Sequence, residues 1–323
     1  MRLLLAALLG LAAAASLGAQ SSHDGLAQVN AALQAGEADK ALSLLRALPP
    51  PEGLSAEAHN LHCRVLFALE QFEAANRECE QAVALDAKSS DYHLWYGRTL
   101  GEVADRANFL SAYNMAKRAR AEFEQAVELN PRNAEALADL GEFYSSAPGV
   151  VGGGADKAQG VAAKLDGIDP ARAHELRAAI ARENKDYQTA EREFKQAIAV
   201  SGHPAFQWMR LASFYRKAKR YDDMESAVQS GFTAAQRDQH AGVALFNGAS
   251  VLMKANRNPA LAIKLLETYL SAPGATEEAP TFTARVWLAR LRAQTGDPDG
   301  ARRERTAALA LAQDYKPAQD LKL

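Results

Sequence analysis

The segment APGVVGGGADKAQG, residues 147–160, is the stretch of this 323-residue chain that comes nearest to a phosphate-binding loop. Glycine adopts positive φ without steric cost, so such a run lets a backbone approach a ligand closely. A G-x-x-x-x-G-K-[ST] loop requires a preceding strand and a lysine directly after its second glycine. Counting from Gly149, Gly154 is in place, but Ala155 stands at the lysine position and no Ser or Thr follows Lys157. The pattern therefore predicts a long turn between two helices with a flexible Gly152–Gly154 segment, not a nucleotide site, although an anion could bind at the N-terminus of the following helix.

Other chemically active residues form no recognisable catalytic motif. The seven histidines are scattered, at positions 23, 59, 62, 93, 174, 203 and 240, outside any metalloprotease, nucleophile or redox motif. Carboxylate pairs such as Asp222–Asp223 and Glu277–Glu278 fall in predicted turns, where we expect solvated charge. We therefore expect no enzymatic activity, no cofactor and no metal site.

The N-terminus has the pattern of a secretory signal peptide. Arg2 precedes an apolar stretch from Leu3 to about Ala15, and small residues end near Ala19. The apolar stretch is shorter than the ~20 residues that span a bilayer. We therefore expect residues 1–19 to be cleaved, and the mature chain to be periplasmic or secreted without membrane insertion. A formal net charge of −2 at pH 7 provides no excess of positive charge for nucleic acid or anionic lipid.

A repeat of small residues runs through the alanine-rich remainder, which lacks strand-like alternation and is predicted to be all-helical. Three segments place small residues twelve and then seven positions apart: Cys63, Ala75, Ala82; Ala178, Ala190, Ala197; and Ala289, Ala301, Ala308. The interval from Ala197 to Gly231 is 34 residues. Small side chains at these offsets allow two antiparallel helices to approach closely, while bulky residues between them fill the space against the next pair.

The repeat divides residues 20–323 into one domain of about eight helical pairs. The predicted ranges are 22–50, 55–88, 89–131, 133–170, 171–202, 204–237, 239–271 and 280–315. Two pairs depart from the twelve-residue offset, since Gly97 to Ala119 is 22 residues and Gly141 to Ala158 is 17. The first departure predicts a hairpin with longer helices, and the second is the glycine-rich turn.

These offsets and the 34-residue period resemble the tetratricopeptide repeat family over residues 22 to 315. The resemblance implies an α-solenoid of helix-turn-helix repeats that forms a right-handed superhelix, with a concave groove lined by the first helix of each pair. The W-x-G-R pattern of Trp95, Gly97 and Arg98, together with the lengthened hairpin and the glycine turn, further resembles bacterial tetratricopeptide proteins that accompany TRAP solute transporters. It also resembles eukaryotic regulators of microtubule dynamics.

Arginine and tryptophan dominate the predicted groove, and both types are enriched where proteins bind one another tightly. Following the inward face of each first helix gives Asn60, Arg64, Trp95, Arg98, Glu102, Asp139, Glu142, Met209, Arg210, Arg216, Trp287 and Arg290. We expect an exported interaction scaffold whose groove binds an acidic or C-terminal peptide, or a partner domain, in cell-envelope assembly or chaperoning. The alternative is a transporter accessory protein that binds a small ligand or a solute-binding protein, with Trp95 and Arg98 in a pocket near the glycine turn.

Three interpretations are open for the two cysteines, Cys63 and Cys79. The repeat places them on facing surfaces of one hairpin, where a disulfide is sterically accessible and an oxidising compartment favours it. They could instead be free thiols that serve as small core residues. A metal site with His59 and His62 is the third interpretation, but these side chains diverge around the helix because His62 and Cys63 are adjacent.

Overall fold

The computed structural model describes residues 24–272 and 275–323, and within them every regular element is helical. The predicted signal peptide, residues 1–19, lies outside this part of the chain. The helices are α1 (24–34), α2 (Ala38–Ala47), α3 (Ala56–Ala68), α4 (Phe72–Leu85), α5 (Ser90–Ala104), α6 (Phe109–Leu129), α7 (Ala134–Ser146), α8 (Ala155–Leu165), α9 (Pro170–Glu183), α10 (Tyr187–Val200), α11 (Pro204–Lys217), α12 (Tyr221–Ala235), α13 (Gly242–Ala255), α14 (Pro259–Ser271), α15 (Thr281–Gln294), α16 (Pro298–Leu309) and α17 (Lys316–Gln319). Among the described residues, no helix combines the length and apolarity needed to cross a membrane.

Recurring local signals set the helix ends. Ser55, Ser89 and Asn133 each cap a first helix by accepting a hydrogen bond from a backbone N–H in its first turn. Six first helices are followed, one or two residues after their last residue, by a residue with positive φ that reverses the chain into the second helix; these are Gly36, Glu70, Lys185, Lys219, Asn256 and Gly296. The turn thus follows the repeat even where glycine is replaced by a charged residue.

The small residues lie where the helices of each pair touch, as the repeat predicts. Ala75, Ala82, Ala178 and Ala197 are fully buried. In the lengthened pair the contact is closer still, since a Cβ placed on Gly97 would lie 2.6 Å from the Phe123 ring. The all-α solenoid of about eight helix-turn-helix pairs is therefore confirmed.

The two departures from the repeat have distinct structural results. The ten extra residues of the lengthened hairpin go mainly into α6, which has 21 residues where the second helices α4 and α10 have 14 each. The glycine turn is held by its own chain: the N–H of Gly154 donates to the Tyr144 carbonyl at 2.8 Å, and Lys157 Nζ donates to the Gly152 carbonyl at 2.9 Å. A Cβ on Gly153 would lie 1.8 Å from the Ala147 carbonyl oxygen. These glycines therefore make room for neighbouring backbone, and the chain enters this turn from helix α7 and not from a strand.

A histidine or arginine and a glutamate join the two helices of four pairs at the same repeat position. His59 bonds Glu78 at 2.7 Å and His174 bonds Glu193 at 2.7 Å, each pair being 19 residues apart. Arg285 bonds Glu304 at 2.7 Å with the same spacing. In the lengthened hairpin His93 bonds Glu122 at 2.6 Å across 29 residues. The pairing is therefore kept when ten residues are added to the hairpin.

The two cysteines form a disulfide bond between α3 and α4, with Cα atoms 5.3 Å apart. Cys63 occupies the small-residue position that Gly97 and Ala178 hold in other pairs. Cys79 takes the place of Phe123 and Phe194 on the second helix, so the bond replaces an aromatic contact with a covalent one. Neither cysteine is available to ligate a metal in this state.

The first helical pair also packs against the last, which the sequence did not indicate. Leu26, Val29 and Leu33 of α1 share one buried cluster with Phe282 and Tyr315. Backbone groups join the same elements: the N–H of Asp39 donates to the Leu311 carbonyl at 3.0 Å, and the N–H of Gln313 donates to the Asp39 carboxylate at 2.8 Å. The solenoid therefore closes on itself as a ring, and its concave surface becomes the inner surface of that ring.

Gly36 provides a test of this closure. It has φ +71°, and an added Cβ would lie 2.3 Å from Thr281 Oγ1 and 2.8 Å from the Thr281 backbone nitrogen. Gly296 has φ +89° with open space around the same position. We expect Gly36→Ala to lower the free energy of unfolding by at least roughly 1 kcal/mol more than Gly296→Ala, because only the former overpacks the closure. Equal losses in urea denaturation would contradict the contact between the ring ends.

The His93–Glu122 pair predicts a pH dependence. The hydrogen bond that the His93 ring donates to the Glu122 carboxylate raises the pKa of His93 above its ordinary value, against the opposing effect of burial. Protonated His93 thus stabilises the fold below the unfolded pKa of about 6.5, and this contribution is lost as pH rises through the folded pKa. We expect the stability difference between the wild type and His93→Gln to shrink over that interval. The control is His240→Gln, at a side chain that is 81% exposed; a stability difference for His93→Gln that is independent of pH would refute the assignment.

Candidate functional site

Three cavities of about 860, 560 and 950 Å³ open on the inner surface of the ring. Their walls come mainly from the first helices α1, α3, α5, α7, α9, α11, α13 and α15. Arg98 and Glu278 line all three. We use "inner surface" for the residues that line these three cavities and "central cavity" for the largest one.

The central cavity is lined by aromatic residues from helices distant in sequence. They are Phe67, Phe72, Trp95, Phe123, Phe143, Phe246 and Trp287. Trp287 stacks on Phe246 with ring centroids 4.2 Å apart, and Trp95 packs edge-on against Phe67 at 5.5 Å. The lengthened hairpin and the glycine turn close one side through Gly101, Ala116, Ala119, Pro148 and Val151. The two departures from the repeat thus meet at one cavity.

Trp95 is approached by two guanidinium groups. The Arg98 and Arg64 guanidinium carbons lie 4.8 and 5.5 Å from its ring centroid, within cation–π range. Arg98 Nε donates to Asp139 at 2.6 Å, and its NH2 group donates to Glu135 at 3.0 Å. Burial raises the pKa of the Asp139 carboxyl, and the Arg98 charge opposes that rise. The charge of Arg98 is therefore balanced by two carboxylates of the next helical pair.

Glu277 is bound by Arg64 across the ring, which corrects the expectation that the Glu277–Glu278 pair is simply solvated. Arg64 Nε donates to one carboxylate oxygen at 2.9 Å and its NH2 group donates to the other at 2.5 Å. The two side chains are 18% and 13% exposed. The neighbouring Glu278 reaches the solvent inside the ring. The protein groups around it displace part of its hydration, and this desolvation, together with repulsion from Glu135, raises the pKa of the Glu278 carboxyl.

The inner surface carries a large excess of negative charge. It contains four arginines, Arg64, Arg98, Arg172 and Arg210. It contains twelve carboxylates: Glu57, Glu70, Asp91, Glu102, Asp105, Glu135, Asp139, Glu142, Asp169, Glu175, Glu277 and Glu278. Each arginine is already paired, since Arg172 contacts Asp169 at 3.2 Å and Arg210 contacts Glu175 at 3.1 Å. The surface is thus acidic, whereas the sequence suggested one dominated by arginine.

The structure brings most of the predicted groove residues to the inner surface. Asn60 and Arg64 line the 860 Å³ cavity, Glu102, Glu142 and Trp287 line the central cavity, and Arg210 lines the third. Trp95 and Arg98 lie at their centre.

Three predicted residues lie elsewhere. Arg290 is exposed beside Glu70 and Lys316, in a separate cavity at the ring closure. Arg216 lines none of the three inner cavities, and its buried Nε has no hydrogen-bond partner among the described residues. Met209 belongs to the core, because its thioether fills the space beside Gly231 and Gly248.

One group of potential metal ligands was missed by sequence reasoning. His203, Asp238 and His240 place one ligand atom each within 4.8 Å of one another. His203 precedes α11 and the other two precede α13, at corresponding turns of successive pairs, so a spacing of about one repeat was the available signal. Both histidines are exposed, and Asp238 already accepts hydrogen bonds from His203 Nδ1 at 2.9 Å and from the His240 N–H at 2.8 Å.

These helical pairs, with small residues at their contacts and an inner surface built from first helices, define a tetratricopeptide-repeat-like α-solenoid. No protein-family model matches the chain. It is 24% identical over 293 residues to superkiller complex protein 3 of Mus musculus, a match that covers 89% of this chain and 18% of that protein. A thermophilic tetratricopeptide repeat protein of Thermus thermophilus is 18% identical with TM-score 0.48, covering 60% of this chain and 98% of that chain. One from Parabacteroides merdae is 15% identical with TM-score 0.48, covering 84% and 98%.

Proposed function

We propose that the protein is an interaction scaffold that holds a segment of a partner protein against its inner surface. The observation that carries the proposal is the central cavity, whose aromatic side chains converge from α3, α4, α5, α6, α7, α13 and α15. No single pair could build it, so the ring arrangement is what creates the site. Large aromatic side chains provide contact area at little cost in conformational entropy, which is why they dominate binding hot spots.

The cellular setting of the proposal rests on the N-terminal sequence. A signal-like stretch over residues 1–19 favours export to the periplasm or medium, where the Cys63–Cys79 disulfide would persist. An exported scaffold without a recognisable catalytic motif suits the assembly or chaperoning of envelope proteins.

A second candidate is a transporter accessory protein that binds a small ligand. The lengthened hairpin and the glycine turn wall one side of the central cavity, and its volume of about 950 Å³ falls at the upper end of the range for small-molecule sites. Trp95 and Arg98 line the cavity beside that wall, which is the position that the small-ligand hypothesis needs.

Filling the central cavity tests both functions. Gly101 lies on helix α5, lines the cavity and has no atom within 4 Å of an added Cβ, so the side chain of Gly101→Phe starts in open space within the cavity. Gly160 on α8 is equally uncrowded but exposed and outside the cavities, so Gly160→Phe is the matched control. We expect tagged protein lacking residues 1–19 to capture a partner from a cell-envelope extract, and Gly101→Phe alone to weaken capture by roughly tenfold, about 1.4 kcal/mol.

Quantitative mass spectrometry of the captured proteins tests the scaffold function. Native mass spectrometry, which detects co-purifying small molecules, tests the transporter accessory function. Identical capture and identical small-molecule content for wild type, Gly101→Phe and Gly160→Phe would contradict the assignment of the central cavity as the site.

A further inference from the structure

The charges of the inner surface specify the chemistry of its occupant. Twelve carboxylates face four arginines there, although the whole chain carries a formal charge of only −2. The negative charge is therefore concentrated inside the ring and balanced by positive charge elsewhere. A concave surface of one sign focuses its field and attracts partners of the opposite sign.

The arginines do not offset this field for an incoming anion. Arg64 holds Glu277 with two hydrogen bonds, Arg98 holds Asp139 and Glu135, and the remaining two contact Asp169 and Glu175. An acidic segment that bound Arg64 or Arg98 would have to break these pairs and leave Glu277 or Asp139, both largely buried, without a counter-ion, which is strongly unfavourable.

Three carboxylates of the central cavity are unpaired. Asp105, Glu142 and Glu278 line the cavity and are exposed to solvent, and their side chains make no ion pair or hydrogen bond with the described residues. A cation that approached them would gain charge-assisted contacts without breaking any existing pair.

The apolar lining completes the match to long basic side chains. The aliphatic stems of lysine and arginine pack along apolar surface while their charged ends reach polar groups. Aromatic faces also attract such cations, as Arg64 and Arg98 show at Trp95, 5.5 and 4.8 Å from its centroid. The central cavity therefore provides both contacts that a lysine or arginine side chain makes: an apolar wall for its stem and an unpaired carboxylate for its charged end.

We propose that the segment bound in the central cavity is basic, with lysine or arginine side chains that contact Asp105, Glu142 and Glu278. The inference rests on the proposed function, because it names the partner class for the same cavity. It replaces the acidic peptide that the arginine-rich pattern of the sequence had suggested.

The test compares two labelled octapeptides, one of alternating Lys and Leu and one of alternating Glu and Leu, by fluorescence anisotropy. The inner variant is Asp105→Asn, Glu142→Gln, Glu278→Gln, and no paired group is removed. The matched outer variant is Glu73→Gln, Glu128→Gln, Asp314→Asn, which neutralises three exposed carboxylates outside the cavities. Circular dichroism and a thermal melt establish that both variants fold.

We expect the Lys peptide to bind the wild type, and the inner variant to bind it at least roughly tenfold more weakly than the outer variant, with a smaller salt dependence. Preference for the Glu peptide, equal losses in the two variants, or no binding of the Lys peptide would overturn the inference. The proposed function is decided separately, since partner capture that depends on Gly101 would sustain it whatever the sign of the peptide preference.

Discussion

The packing of the first helical pair against the last determines what the rest of the molecule can do. An open array of helical pairs exposes its concave face to solvent, where charges are hydrated and screened within about 10 Å. Once α1 and α2 seal against α15 and α16, the same face becomes a confined surface whose charges act together. The aromatic walls of the central cavity, drawn from α3 at one end of the chain and α15 at the other, exist as a unit only because the ring is closed.

Closure is built from ordinary contacts, and three of them connect it to the inner surface. The Arg64–Glu277 pair joins residues 213 positions apart, and the Glu277 N–H reaches Gln34 of α1 at 3.3 Å. Tyr315, 1% exposed, donates its hydroxyl to Glu70 at 2.8 Å, beside the turn between α3 and α4. The segment before α15 therefore has two roles: it seals the ring and it supplies two of the inner carboxylates.

The sequence predicted what depends on short-range spacing. Small residues twelve and seven apart predicted the helical pairs because that contact lies within one hairpin, and the 22-residue interval predicted the lengthened pair. The inward positions of Trp95, Arg98 and Trp287 also followed from the helix period.

The net charge of the inner surface could not be predicted in the same way. Arginines on the first helices suggested a basic groove, but their carboxylate partners lie on the following repeat for Arg98 and on the preceding repeat for Arg210. The partner of Arg64 lies at the far end of the chain, and no periodicity brings Glu277 near residue 64. Closure was missed for the same reason, since no spacing within a repeat marks which pair will meet the first.

The most direct test of the closed ring is the hydrogen-exchange rate of one backbone amide. Asp39 is the second residue of α2, so its N–H has no intrahelical acceptor, and its protection depends on the Leu311 carbonyl, 3.0 Å away. Glu57 is the second residue of α3 and provides the matched reference amide. By NMR on the intact protein, a ring predicts that the Asp39 amide exchanges far more slowly than that of Glu57. Equal, fast exchange at both positions would show an open array and contradict the account.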